Sequence, residues 1–436
     1  MYSRSNNRAR LYLIWVIRVM VLLPFLWMFP AQAENQRQPL KLPDLPKLLQ
    51  LPKLPEMPKL PQNLQIHGFF SQGWLKSTDN NNVFGNSSSD SGSFDFREIG
   101  LNASMRPLSN LQFSVQGLSR TAGNGSPGNI RLDYGFIDYT FSNQENSQLG
   151  IRLGRMKNPI GFYNDTRDVP FTRPSILLPQ SIYFDRTRKL AIAADGVHLY
   201  GEYRSDYGDI SFQAGVVRPL VRGDEAEAAV FGGALPPGHL APDMSYVGRV
   251  NYELDGGRVR FGISATQLNM GYSPGVGDPL RGGGVHFIPL VFSAQYNAER
   301  WSLTSEYAIR FLEYKNFGPN LANLDFAGES YYFQGVYRFT PEWEGIIRYD
   351  ALFTDSNDPS GKRWAASSAA GGRPAHTRFA KDITVGLRWN ITPQFMLRAE
   401  YHRVNGTGWL STLDNQNYQG AVQHWDLFSI LGSYRF

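Results

Sequence analysis

Apolar and polar residues alternate along much of the chain from residue 65 onward. One stretch shows the pattern clearly, with apolar Ile383, Val385, Leu387 and Trp389 alternating with Asp382, Thr384, Gly386 and Arg388. A period of two residues predicts a β-strand whose two faces meet different surroundings. Sixteen such segments, most of them ten to thirteen residues long, cover 65–76, 93–105, 111–121, 130–142, 148–156, 195–204, 209–218, 245–254, 258–268, 285–297, 301–312, 329–339, 344–354, 380–390, 395–405 and 425–436. That length is what a tilted strand needs to cross a bilayer.

The connections between these segments are alternately short and long. The seven short ones are 106–110, 143–147, 205–208, 255–257, 298–300, 340–343 and 391–394. The eight long ones are 77–92, 122–129, 157–194, 219–244, 269–284, 313–328, 355–379 and 406–424. Outer-membrane barrels have short periplasmic turns and long external loops, whereas a soluble sandwich has no reason to sort its loops in this way. The pattern therefore predicts an all-β, 16-stranded antiparallel transmembrane β-barrel over residues 65–436, with both termini on the periplasmic side.

The final predicted strand, residues 425–436, carries an aromatic and apolar face up to its last residue. In this it resembles the closing strand of outer-membrane barrels, whose terminus is recognised by the barrel assembly machinery. We therefore expect Tyr434 and Phe436 to act as an assembly signal. Pro289 interrupts another predicted strand, and because proline cannot donate a hydrogen bond to the sheet, we expect a β-bulge there.

Residues 1–33 have the features of a secretory signal peptide. Arg4, Arg8 and Arg10 precede an apolar run over residues 11–29, and an Ala-Gln-Ala cleavage site follows at 31–33. The alternative is a retained membrane anchor, because the run is about long enough to span a bilayer. An arginine within the run and the cleavage site after it favour the signal peptide. No other stretch approaches eighteen apolar residues, so the mature protein can span a membrane only as a closed barrel.

Residues 34–64 form a Leu/Pro-rich arm, in which a three-residue unit repeats over 42–62. Proline at this frequency excludes an α-helix and favours a polyproline II helix, with leucine along one edge. Its 21 residues would reach roughly 65 Å. The arm is either a stiff periplasmic spacer or a docking element for a periplasmic partner or for sister chains. A solvated spacer does not need leucine in every unit, so both interpretations stay open.

Composition excludes several classes of protein. The chain has no cysteine, so it has neither disulfides nor thiolate metal sites. Its net charge of +5 falls to about +1 without the four arginines of the first 33 residues, so a nucleic-acid partner has no global electrostatic support. The seven histidines are scattered, and no nucleophile elbow, P-loop or dinucleotide fingerprint occurs. We therefore expect no enzyme activity, no cofactor and no bound metal.

The third long connection, 157–194, is the longest and is rich in both apolar and charged residues. It is too apolar for a solvated surface loop, and its charges could place a field across a lumen. We therefore expect an inward-folded third external loop; the alternative is a lid on top of the barrel. The residues predicted to form a pore constriction are Arg155, Lys157, Arg167, Asp168, Arg173, Asp185, Arg186, Arg188 and Lys189.

Other charged residues are predicted to face the lumen. The arginines chosen as the lumen wall are Arg152, Arg310, Arg348, Arg388 and Arg398. Acidic residues with the same orientation include Glu98, Asp138, Glu202, Glu253, Glu306, Asp350, Asp382 and Glu400. We expect most of these charges to pair across the lumen and solvate the wall. The other inward arginines are Arg120, Arg131, Arg249, Arg260 and Arg338. Arginine therefore slightly outnumbers acid, which predicts a weak preference for anions.

At the start of the third long connection, residues 154–161 read Gly-Arg-Met-Lys-Asn-Pro-Ile-Gly. This run resembles a motif of the phosphate-selective porin O and P family, which are trimeric sixteen-stranded anion channels. The resemblance covers residues 65–436, but only this motif is specific. It implies a homotrimeric channel. The lysine cluster of that family's phosphate site has no evident counterpart, so the resemblance implies architecture and channel activity and not phosphate specificity.

Together these features predict an outer-membrane porin of a Gram-negative cell that passes small hydrophilic solutes by diffusion, with a weak preference for anions. Its expected partners are membrane lipid, the barrel assembly machinery and two further copies of the chain. One alternative is a non-conducting barrel that anchors the Leu-Pro arm as the functional part. Another is a secreted, soluble all-β binding protein.

Overall fold

The computed structural model describes residues 63–367 and 371–436. The strands are β1 (Leu64–Ser77), β2 (Ser93–Leu108), β3 (Leu111–Ala122), β4 (Pro127–Gln144), β5 (Ser147–Lys157), β6 (Ala193–Ser205), β7 (Gly208–Pro219), β8 (His239–Pro242), β9 (Ser245–Leu254), β10 (Val259–Ser273), β11 (Gly283–Asn297), β12 (Trp301–Lys315), β13 (Leu324–Arg338), β14 (Trp343–Phe353), β15 (Phe379–Asn390), β16 (Phe395–Gly406) and β17 (His424–Arg435). Strand β8 is a short strand within the connection between β7 and β9. The predicted signal peptide and nearly all of the predicted arm lie outside the described residues.

The sheet is a closed antiparallel barrel. Each of the sixteen long strands pairs with its neighbours in the chain, and β1 pairs with both β2 and β17. The seam is hydrogen-bonded to its end: Phe436 N donates to Gly68 O at 3.0 Å, and Gly68 N donates to Phe436 O at 3.2 Å. Closure leaves no free sheet edge, so every strand can satisfy its backbone within the barrel. The predicted 16-stranded antiparallel barrel is confirmed.

The two faces of the barrel wall differ sharply. The outer face carries exposed apolar side chains, among them Leu101, Leu153, Ile347, Ile383 and Ile430. The inner face, which consists of the alternate positions, carries buried polar side chains such as Glu98, Thr304, Arg348, Thr384 and Ser429. An apolar outside and a polar inside reverse the pattern of a soluble protein and suit a barrel surrounded by lipid.

Aromatic residues lie beside the short turns. The rings of Trp343 and Trp389, on the paired strands β14 and β15, stack with centroids 5.1 Å apart. Trp301 begins β12 and packs against Tyr296, with ring centroids 5.0 Å apart. Such rings are typical of the interfacial girdle at the ends of membrane-spanning strands.

Three short α-helices lie in the described parts of the long connections. They are α1 (Arg188–Ile192), α2 (Asp224–Val230) and α3 (Lys362–Ala365). None of the helices in residues 63–367 and 371–436 is long and apolar enough to cross a membrane. Their sequences are too short to be stable alone, so packing against the barrel must stabilise them.

The β-bulge expected at Pro289 is absent from β11. Pairing with β12 runs through Pro289 opposite Arg310 without a register shift. On the other side, the register with β10 is the same before and after the proline, although Ile288 and Pro289 themselves do not pair with β10. The missing proline N–H therefore interrupts the hydrogen bonds to β10 locally. The register with both neighbouring strands is unchanged, so β11 contains no extra residue and no bulge.

Ile347 tests the orientation of the wall, because it lies near the middle of β14 and is 61% exposed on the outer face. We expect Ile347→Arg to destabilise the folded barrel by about 2–4 kcal/mol in lipid, because the charge would lie at bilayer depth. Urea-induced unfolding in lipid vesicles would measure this. Val276→Arg, in a fully exposed loop position, is the matched control and should change stability by less than about 0.5 kcal/mol. Equal stability of the two variants would contradict the assigned outer face.

Candidate functional site

The connection between β5 and β6, residues 158–192, packs tightly against the inner face. Ile176 and Leu177 are buried with Trp425 and Leu431 of β17. Leu178 and Tyr183 are buried in a second cluster, against wall residues of β11, β12 and β13. The apolar side chains that predicted a structured connection are therefore the ones that fix it to the wall.

Glu306 of β12 anchors the first part of this connection. The buried carboxylate accepts hydrogen bonds from Phe162 N at 2.8 Å and from the Tyr183 hydroxyl at 2.6 Å. Ser293 and Tyr332 of the wall donate to the same carboxylate, at 2.6 and 3.0 Å. Four donors around one buried acid compensate for its lost hydration, so the carboxylate ties the connection to β11, β12 and β13. The same contact and burial raise the pKa of Tyr183, which keeps its hydroxyl protonated as a donor.

Glu98 of β2 anchors the middle of the connection. Its carboxylate receives Arg173 Nη2 at 2.7 Å and Arg120 Nε of β3 at 3.3 Å. Arg120 also reaches Asp185, with its Nη2 2.9 Å from Oδ1. Arg167 approaches the same Asp185 oxygen at 3.6 Å. Two acids and three arginines thus share a buried network, in which burial lowers the pKa of Arg167 to about 10.

Strands β14 and β16 hold the opposite side of the same segment. Glu400 of β16 accepts from the backbone N–H of Ile176 at 2.5 Å. Arg348 of β14 donates to the Ser175 hydroxyl at 2.8 Å, and Arg398 of β16 donates to the Arg173 carbonyl at 2.5 Å. The bonds from Glu400 and Arg398 satisfy backbone groups that would otherwise be buried without a partner in an irregular segment.

A further ion cluster holds the two ends of the connection together. Lys157, the last residue of β5, bonds to Asp133 of β4 at 2.5 Å and also to Asp168. Asp168 in turn bonds to Arg188 of α1. Burial and the nearby cations lower the pKa of Arg188, so the charged network depends on these acids for compensation. On β9, Arg249 donates to the Gly161 carbonyl at 3.0 Å.

These contacts lie deep along the barrel wall. Glu98, Glu306, Arg348 and Glu400 are each five residues or more from both ends of their strands. Five residues correspond to roughly 16 Å of strand. The connection therefore contacts the middles of β2, β12, β14 and β16.

Most of the residues predicted for the constriction come together in these networks, namely Lys157, Arg167, Asp168, Arg173, Asp185 and Arg188. Arg186 and Lys189 are half-buried beside them. Arg155 is placed elsewhere: it shares the outer face with Leu153 and pairs with Asp195 of β6 at 2.7 Å. Arg155 is three residues after Arg152, and because successive side chains of a strand alternate between the two faces, these two arginines lie on opposite faces of the sheet.

The predicted wall arginines occupy different parts of the inner face. Arg348 and Arg398 join the connection, as described above. Arg152 pairs with Asp138 at 2.8 Å under the ring of Tyr200. Arg310 stacks on Phe184, and Arg388 lies opposite Arg398 in the register and bonds to Asn390 at 2.7 Å.

The anchoring role of the acids was missed from the sequence. Glu98, Glu306 and Glu400 were expected only to pair with arginines and solvate the wall, yet each binds residues of the connection. The usable signal was an acid near the middle of a strand at an inward position. The partners themselves, such as the backbone N–H of Phe162 and Ile176, carry no signal in the sequence.

Other long connections also pack inside the wall, near its long-loop end. Val230 of α2 is buried with Met270, Val285 and Tyr314, which occupy inward positions of β10, β11 and β12. Trp409, in the connection between β16 and β17, packs against Trp425 with ring centroids 5.4 Å apart. The inner face is therefore polar over much of its length and apolar near the long loops, which the sequence analysis did not foresee.

Comparisons with known proteins can now be set beside this geometry. The chain matches no protein-family profile and no curated protein sequence. Among solved structures it is similar to the outer membrane channel DcaP of Acinetobacter baumannii, with a TM-score of 0.53 at 10% identity, over 86% of this chain and 97% of that one. The chain has the fold of an outer-membrane β-barrel.

Two further structures have the same architecture. OmpF of Salmonella typhi gives a TM-score of 0.51 at 14% identity, covering 86% of this chain and 97% of that one. The trimer form of OmpT, an outer membrane protein of Vibrio cholerae, gives 0.51 at 11% identity, covering 86% and 99%. Identities this low show a shared fold and leave the solute and the selectivity open.

Glu98 offers a direct test of how the connection is held. We expect Glu98→Gln to destabilise the fold by about 3 kcal/mol, because Arg120 and Arg173 would keep buried charges without their acid. In lipid vesicles, trypsin should then cleave after Arg167, which the intact network protects. Glu253→Gln is the control, since its pair with Arg260 is half-exposed and should contribute about 1 kcal/mol or less. Resistance of Glu98→Gln to trypsin would show that the network does not hold the connection.

Proposed function

We propose that this protein is a porin-like channel for passive diffusion of small hydrophilic, preferentially anionic solutes. The barrel lies in the outer membrane of a Gram-negative cell, with lipid against its apolar outer face. The lumen selects solutes by their size and charge, and no covalent chemistry takes part. The observation that carries the proposal is the attachment of residues 158–192 to charged residues in the middles of strands on several sides of the wall.

In this proposal residues 158–192 fold into the lumen and form its constriction. The contacts with Glu98 of β2, Glu306 of β12 and Glu400 of β16 support this, because strands so far apart around a barrel share only its interior. The buried arginines Arg167, Arg173 and Arg188 give the constriction a field that a solute must cross.

The charges around the space that stays open near the short turns limit the strength of the proposed preference for anions. A cavity of about 190 Å³ is lined by Arg152 and Arg249 against one acid, Glu202. Arg152 pairs with Asp138 at 2.8 Å, and Arg249 pairs with Asp165 at 2.5 Å. These pairs leave the cavity without an excess of positive charge, so the proposed anion preference is weak and rests on the slight excess of arginine over acid among the inward positions.

Phosphate specificity is not part of the proposal. Lys157 is the lysine of the 154–161 run that resembles the phosphate-selective porins, and it is bound to Asp133 and Asp168. A lysine neutralised by two acids is a poor phosphate ligand. We do infer a homotrimer, supported by that resemblance and by the trimer form of the similar OmpT. Tyr434 and Phe436 remain the proposed signal for the barrel assembly machinery.

A second candidate function is a non-conducting barrel whose Leu-Pro arm is the functional part. The observation that favours it is the apolar packing of Val230, Trp409 and their neighbours inside the long-loop end of the wall. Such packing could plug the lumen. In that case the barrel would serve as an anchor, and the arm over residues 42–62 would bind a periplasmic partner.

Single-channel conductance in planar bilayers distinguishes the two. We expect the purified full-length protein to give open steps, and deletion of residues 165–189 to enlarge them, because the constriction is removed. Deletion of residues 319–322, in a long connection with exposed residues, is the control and should leave the step size unchanged. If the full-length protein does not conduct but the 165–189 deletion variant gives large conductance steps, the plugged barrel is supported. If neither protein conducts, the channel proposal is wrong.

Ion selectivity gives an independent measurement. In a steep KCl gradient we expect the wild type to give a reversal potential whose sign shows that chloride is more permeant than potassium. Arg152→Gln should move it toward the cation side, because one charge leaves the inner face. Arg403→Gln removes an exposed arginine of the outer face and should have no effect. A cation-side potential in the wild type would overturn the anion preference.

A further inference from the structure

A cavity of about 110 Å³ lies on the inner face near the long-loop end of the barrel. Its wall is mainly apolar, with Phe184 and Leu190 from the third long connection and Val285, Phe287, Leu312 and Tyr314 from β11 and β12. Val230 of α2 closes one side, and the Tyr314 hydroxyl donates to the Val230 carbonyl at 2.5 Å. The cavity is thus a built pocket, and β10, β13, β14 and the connection between β16 and β17 also contribute to its lining.

Two arginines line this apolar pocket. Arg310 of β12 donates through Nη2 to the carbonyls of Glu329 and Phe353 at 3.2 Å, and its guanidinium stacks on the Phe184 ring at 4.7 Å. Its Nε is buried and has no hydrogen-bond partner within residues 63–367 and 371–436. Arg186 also has a buried Nε without a partner, and it makes no ion pair or hydrogen bond to the described residues.

A third arginine lies close by. Arg378 stacks on Phe326, a residue of the cavity wall, with its guanidinium 5.5 Å from the ring centroid. Burial and the charge of Arg186 lower the pKa of Arg378 to about 10. Asp355 and Asp358 are the acids that act on Arg378, and Glu329 is the acid that acts on Arg310.

Like charges gathered at an apolar pocket are costly unless something neutralises them. Each buried guanidinium N–H without an acceptor loses its hydration and gains no hydrogen bond in return. A carboxylate would supply two acceptor oxygens and one negative charge, and it matches the planar donor pattern of a guanidinium. An apolar group attached to it would displace water from the side chains of β11 and β12.

We propose that this cavity binds a small organic anion with an apolar body, its carboxylate at Arg186 and Arg310 and its body against Phe287 and Leu312. The inference deepens the proposed function and rests on it, because a pocket inside the lumen would hold a solute in transit. It names a solute class, the amphipathic monocarboxylates, of which benzoate is the simplest aromatic probe. Inorganic anions would use the arginines alone and leave the apolar wall unused.

Isothermal titration of the detergent-purified, full-length protein tests the pocket without requiring conduction. We expect saturable binding of sodium benzoate, about tenfold or more tighter than that of sodium acetate, because the ring buries apolar surface that a methyl group does not. Sodium phosphate should bind more weakly than benzoate. Equal affinities for benzoate, acetate and phosphate would overturn the organic-anion assignment.

Two arginine variants make the test specific to the pocket. Arg186→Gln should weaken benzoate binding by about tenfold or more, since it removes a charge-assisted hydrogen bond. Arg258→Gln, an exposed arginine at a short turn, makes the same charge change and should bind benzoate like the wild type. Heat-modifiable gel mobility would confirm that both variants are folded. Benzoate uptake by detergent micelles affects all three proteins equally, so it cannot produce the difference.

The outcomes separate this inference from the channel proposal. Saturable benzoate binding that Arg186→Gln weakens would support the pocket, even if the bilayer experiment finds no open steps and the channel proposal fails. Open steps without saturable benzoate binding would leave the channel intact and overturn the pocket. Unchanged binding in Arg186→Gln would also overturn it.

Discussion

Closure of the sheet between β1 and β17 is the constraint on which the rest of the structure depends. In lipid, every backbone N–H and C=O on a spanning strand must find its partner within the protein. The paired bonds between Gly68 and Phe436 complete that requirement at the seam. Once the sheet is closed, each strand has one face toward lipid and one toward the interior, and the alternation of its residues has a fixed meaning.

The closed interior then determines what its charges can do. Buried acids such as Glu98 and Glu306 would be costly alone, and a buried ion pair adds little stability over an apolar pair of the same shape. Their main effect is to position one long connection, because each of these acids accepts hydrogen bonds from residues of that connection. The acids therefore specify one position for residues 158–192, where apolar packing alone would allow several. This specificity is a hypothesis that follows from the directionality of hydrogen bonds.

The interior is also divided along its axis. Toward the short turns, the inner face around Arg152 and Tyr200 is polar and leaves open space. Toward the long loops, residues such as Met270 and Val285 are apolar and are covered by α2 and its neighbours. A solute crossing such a barrel would meet a polar surface and an apolar surface in turn. The division gives the arginines near the long loops an apolar setting, in which a charge interacts more strongly than in water.

The sequence alone determined the sixteen strands, the orientation of their faces and the alternation of short and long connections. These features are local, because a period of two residues reports a strand wherever the pattern occurs. Only the tertiary structure decided that Pro289 needs no bulge, that Arg155 lies on the outer face, and which groups meet inside. Arg186 and Arg310 are far apart in the chain, and nothing in their local sequences marks them as neighbours. Their meeting depends on how closure brings distant strands around one interior, and that is a property of the whole chain.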